Sequence, residues 1–223
     1  MNKIKKNVIS QIEKTQTGNR ILHNARYRII FTASISLIIN IAYAFYNGIL
    51  GIVYASFWFL AMFAYYTLLS VMRFSAVLYE YKNKRHNEKF VMRFIGIMLI
   101  IMSFVLSGSV YYSIANDVAN KNNKIVMITI ATYTFYKIIM AIINLVKTKK
   151  YKSFLLITIR NIALADAAVS IFSLQRSMLV SFEGMTSENI RIMNICTGIG
   201  VCLIVFTLGL IMACGIIDKK NKI

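Results

Sequence analysis

The chain has 223 residues, 58% of them hydrophobic and 15% charged, with no proline. A soluble domain of this length needs more polar surface, so the composition excludes an ordinary globular protein and points to an integral membrane one. The formal net charge is +18, from 26 Lys+Arg against 8 Asp+Glu. Apolar runs take up nearly the whole chain and leave no soluble part to carry that charge to nucleic acid, so the basic residues read as cytoplasmic loops facing anionic lipid head groups.

Residues 1–28 lack the continuous apolar core of a secretory signal. Ile4, Val8, Ile9 and Ile12 recur at helical spacing beside Lys3, Lys5 and Lys6. That suits either a basic amphipathic helix on the membrane surface or an unstructured basic tail. From 29 to 72 runs a stretch without a charge. One span takes ~20 residues, so this is a hairpin of two helices. Turn chemistry puts its break at Asn47-Gly48, giving helices over 29–46 and 51–72. Asn40 is the polar residue inside the first. In the second, Tyr54 and Trp58 fall at the outer interface, where aromatic belts form, and Tyr65 and Tyr66 lie deeper.

A polar connection, 73–93, leads to a third helix over 94–116. Its Ser103 and Ser107, and its Ser109 and Ser113, are four residues apart. Small side chains at that spacing favour close helix packing over a polar pathway. After a polar loop at 117–124 come a fourth helix over 125–146, a basic turn at 147–152, and a fifth helix over 153–175. A second polar connection, 177–190, precedes a sixth helix over 192–217, in which Gly198 and Cys202 make a small-residue step. Cys196, Cys202 and Cys214 all lie in this last segment, without a CxxC or Cys/His cluster, and read as buried packing residues. His23 and His86 fall in basic polar stretches. The absence of proline speaks against broken helices of the transporter type.

Lys and Arg divide unevenly between the two sides. Seven up to Arg28, six in 73–93, four in 147–152 and three in the tail make twenty on one side. Two in 117–124 and two in 176–191 make four on the other, and Lys137 and Arg160 lie within helices. The positive-inside rule then predicts an all-α protein of six transmembrane helices with both termini cytoplasmic. The parts are a basic segment over 1–28, a membrane domain over 29–217 and a basic tail over 218–223.

Lys137 and Asp166 are the most informative residues. At 1.5 Å per residue, Lys137 lies ~14 Å from the cytoplasmic end of its helix, Asp166 ~20 Å and Arg160 ~10 Å. The short turn at 147–152 makes the two helices antiparallel neighbours, so a lysine stem can bridge the difference. Ala163, Ala167 and Ser170 share a face with Asp166 and make it a surface for another helix. A charge at mid-bilayer costs about 2.5–3.5 kcal/mol, which pairing or a wet cavity offsets. Two readings stay open: a buried pair, with Asn161, Asn144 or Asn40 nearby, that fixes helix register; and a midplane site for an ion, proton or small solute. Arg160 is shallow enough to reach the cytoplasmic surface.

The run Ala131-Thr-Tyr-Thr-Phe-Tyr-Lys-Ile-Ile-Met-Ala-Ile-Ile-Asn-Leu-Val-Lys147, with Ser170-Ile-Phe-Ser-Leu-Gln-Arg-Ser-Met-Leu179, resembles an uncharacterised family of six-helix membrane proteins from Firmicutes. The likeness covers about 29–217. It implies a multi-pass fold in a bacterial plasma membrane, and no activity. The plan is also similar in topology to cation diffusion facilitators, in which paired His/Asp ligands stand four apart on helices two and five. Here Ile162 and Ser170 flank Asp166 at that spacing, helix two has no acid or histidine, and the cytoplasmic metal domain is missing. That departure puts a divalent-metal transporter of this type in doubt.

No HExxH, GxSxG, P-loop or carboxylate pair is present, so neither an enzyme, a cofactor nor a metal is expected. A small-solute or ion transporter is the first reading. The alternative is a non-transporting membrane subunit or regulator in which the buried charges are structural. A second copy or a partner membrane protein suits either.

Overall fold

The computed structural model describes residues 25–55, 57–81, 88–116, 124–148, 153–181 and 186–215. Among them are six helices and no strand: α1 Ala25–Val53, α2 Phe57–Tyr81, α3 Glu88–Asn116, α4 Lys124–Thr148, α5 Phe154–Ser181 and α6 Ser187–Ala213. Five contain a stretch long and apolar enough to cross a membrane, and α4 contains a shorter one, Ala131–Val146. The expected sixth span is thus the weakest by composition, because Thr132, Tyr133, Thr134, Tyr136 and Lys137 crowd that stretch. The expectations for 1–24, including His23 and the amphipathic helix, and those for His86 and the tail fall outside the described residues.

The helix α5 is the axis of the bundle and packs against all five others. Of its spanning stretch 61% is buried, against 22% for α1. Ala163, Ala165, Ala167, Ala168 and Ser170 explain this: small side chains let neighbouring backbones approach from several directions. Leu69 and Met72 of α2, Ile95, Leu99 and Met102 of α3, Ile162, Val169 and Phe172 of α5 and Val205 of α6 fill the centre. Within a lipid phase the cohesion of such a core is close packing rather than escape from water.

The break in the first hairpin differs from expectation. Helix α1 runs through Asn47, Gly48 and Gly51 and ends in a turn at Tyr54 and Ala55. Tertiary packing overrides the turn chemistry of Asn47-Gly48. The Asn47 amide donates to the Tyr43 carbonyl at 2.8 Å, which keeps it within the helix. A Cβ on Gly48 would meet the Phe63 ring at 3.0 Å, and one on Gly51 would meet Leu60 at 2.9 Å. The two glycines are contact points with α2, not breakers. Ala55 carries the reversal at φ 45°, a conformation that costs an L-residue roughly 1–2 kcal/mol.

The closest helix pair is α3 with α6. A Cβ on Gly96 would stand 2.5 Å from the Ala213 nitrogen and 2.9 Å from the Gly209 oxygen. Ser103 donates to the Cys202 carbonyl at 3.1 Å, and Gly198 faces Val110 and Phe172. Ser103 and the Gly198–Cys202 step therefore serve packing, whereas Ser107 is exposed and bonds back to the Ser103 carbonyl. Other bounds shift through caps: the Thr186 hydroxyl accepts from the Asn189 amide and starts α6 at Ser187 rather than 192. Gly215, at φ 64°, closes it short of 217. The cysteines correct another expectation. Cys196 and Cys214 are exposed and Cys202 is partly so, because the residues of α6 that pack inward are Gly198, Val201, Val205 and Met212.

Candidate functional site

Asp166 sits at the bundle axis, 3% exposed, and α2 and α4 supply its partners. From α4, Lys137 Nζ donates to Oδ1 at 2.8 Å. From α2, Arg73 Nη2 donates to Oδ2 at 2.8 Å, and the Tyr65 hydroxyl donates to Oδ1 at 3.2 Å. One turn along α5, Ser170 Oγ accepts from Lys137 Nζ at 3.0 Å and donates to the Asp166 carbonyl at 2.8 Å. That second bond leaves the hydroxyl lone pairs to face the ammonium. The Lys137 ammonium also stands 4.7 Å from the Tyr133 ring centre and 5.6 Å from that of Tyr66.

Helix periodicity sets this arrangement. Tyr65, Leu69 and Arg73 stand four apart on α2 and form one buried row. Lys137 lies on the buried face of α4 with Thr134, Ala141 and Asn144. Three rings line the seam between α4 and the first hairpin: Tyr43 stacks on Tyr133 at 5.7 Å and tilts against Tyr66 at 5.3 Å.

Among the residues singled out in sequence, Lys137 and Asp166 are brought together. Arg160 is not part of the cluster: it is half-buried, and its Nε and Nη2 reach its neighbour Asn161 Oδ1 at 3.3 and 3.2 Å. Asn161 itself is buried. Asn144 is buried two turns along α4 from Lys137. Asn40 is 1% exposed on α1, and its Nδ2 has no hydrogen-bond partner.

Sequence reasoning missed Arg73 and Tyr65. It assigned Arg73 to the polar connection because a charge ended the apolar run, yet α2 continues two turns further to Tyr81 and Arg73 is 6% exposed. The available signal was the four-residue spacing of Tyr65, Leu69 and Arg73. Arg176, counted with the loop after α5, is likewise in the helix and buried.

The charges of the cluster do not balance. One carboxylate faces one ammonium and one guanidinium, a surplus of one positive charge. The Arg73 Nε is moreover buried without a hydrogen-bond partner. Among the described residues no group of three or more His, Cys, Asp or Glu could hold a metal, and a cation approaching Asp166 would have to displace a lysine or an arginine. No family of known proteins matches the chain, and neither a curated protein nor a solved structure matches it.

Proposed function

We propose that this is a six-span membrane protein of a bacterial plasma membrane, with both termini cytoplasmic, that moves a small solute or ion through the Asp166 centre. The observation that carries this reading is the second cation on Asp166. Pinning helix register takes one neutral pair, whereas a surplus buried charge costs free energy with no structural return. Such residues within spanning helices mark solute and ion pathways. The chain purified into proteoliposomes should give a flux that Lys137→Met lowers at least tenfold. Wild-type flux no greater than that of empty vesicles, across small cations and anions, refutes transport.

A second reading, a non-transporting membrane subunit, draws on the backbone contact of α3 with α6 and the absence of proline, both marks of a rigid bundle. It expects a partner protein or a second copy to copurify, and no flux.

Orientation rests on charge. With Arg73 and Arg176 inside the bundle, nineteen Lys and Arg stand against three, and the asymmetry persists. In a background without the three cysteines, single cysteines at Ala55, Asn122 and Glu188 should label from outside the cell. Labelling of all three only after the membrane is opened inverts the orientation.

A further inference from the structure

We propose that the Asp166 centre binds one small monovalent anion, seated between Arg73 and Asn40. The inference rests on the site described above and names its ligand. Three observations converge. The cluster holds a single surplus positive charge, which one monovalent anion neutralises and a divalent one would overshoot. Arg73 Nε is a buried donor with no partner. Asn40 Nδ2 is a second one, on a residue 1% exposed.

Helix register brings the two residues within about one helical turn of each other. Helix α1 packs antiparallel on α2, with Gly51 against Leu60 and Tyr43 against Tyr66. Three residues back from Tyr43, Asn40 falls level with Leu69, midway between Tyr65 and Arg73. Tyr65 and Arg73 both reach Asp166, so Asn40 lies in the layer of the bundle that contains it. Buried N–H groups are almost always paired. Two unpaired ones, in a layer with excess positive charge, call for an acceptor that bears a negative charge. Lys137 already bonds Asp166 and Ser170, and Tyr65 already bonds Asp166. The anion therefore sits between α1 and α2, at the unpaired Arg73 Nε and Asn40 Nδ2.

Chloride is the probe, with gluconate as a monovalent control too large for a packed interior. Melting of the full chain in nanodiscs of neutral lipid is followed as chloride replaces gluconate at constant ionic strength. Surface screening is then the same throughout. The midpoint should begin to rise where chloride reaches its Kd and then climb with the logarithm of chloride, by about 5 °C or more once chloride exceeds its Kd a hundredfold. Asn40→Ala keeps every charge but removes a donor, and should move the titration to roughly tenfold higher chloride. Lys137→Met leaves a neutral Arg73–Asp166 pair and should abolish the effect. Identical melting of the wild type in chloride and gluconate overturns the proposal, as does a chloride effect that survives both substitutions unchanged. Chloride-dependent melting without flux removes transport and keeps the anion site; cation flux without chloride dependence does the reverse.

Discussion

Asp166→Leu should destabilise the protein more than any other single change in the bundle. It removes the one carboxylate and leaves both Lys137 and Arg73 buried without a counter-charge. Breaking a buried pair by removing one partner costs about 3–5 kcal/mol, and here one substitution strands two cations. Lys137→Met and Arg73→Met are each milder, because either leaves a neutral pair on Asp166. Combining Lys137→Met with Asp166→Leu still leaves Arg73 alone, so stability recovers only in part. The triple variant Arg73→Met, Lys137→Met, Asp166→Leu carries no unpaired charge and should be more stable than Asp166→Leu alone. Unfolding in mixed micelles measures all of these, and strictly additive losses would mean that the three side chains do not act together.

The triad was only partly legible beforehand, for reasons that lie in particular residues. Lys137 and Asp166 stood out because each is a charge well inside a hydrophobic helix. The six-residue turn between those helices leaves no geometry but antiparallel adjacency, and the rise per residue then gives depths that differ by no more than a lysine stem can span. Arg73 follows a charge-free run, and a charge at such a place reads as a boundary. Whether it ends a helix or enters the bundle depends on the partner waiting on α5, which is a tertiary fact. The same holds for Asn47-Gly48. Local propensity makes it a turn, and contact with Phe63 makes it helix. The central position of α5 was foreshadowed by its alanines, but Phe172 and Val169 are buried too, so the helix is enclosed on more than the one face that Ala163, Ala167 and Ser170 describe. Asn40 was visible as an amide in the middle of an apolar run. What it lacks in the bundle, a partner for Nδ2, appears only when the neighbouring helices are in place.

Gly96→Val is the other change expected to have a large effect, and it acts away from the charges. The atoms that a new Cβ would strike are backbone, the Ala213 nitrogen at 2.5 Å and the Gly209 oxygen at 2.9 Å. A clashing side-chain tip can rotate away, but here α3 and α6 would have to separate along much of their contact. The Ser103 bond to the Cys202 carbonyl depends on that same approach. Overpacking commonly costs about 1–3 kcal/mol, and the upper end applies where only backbone can yield. Gly108 is the internal control, since a Cβ there meets nothing within 4 Å. Gly108→Ala should be harmless or slightly stabilising, because alanine is the better helix former. Neither α3 nor α6 contributes a side chain to the Asp166 centre. Gly96→Val should therefore lower the melting midpoint at every chloride concentration and leave the chloride concentration at which the rise begins where it was. A shift in that titration would mean that the α3–α6 contact sets the geometry of the site as well as holding the bundle together.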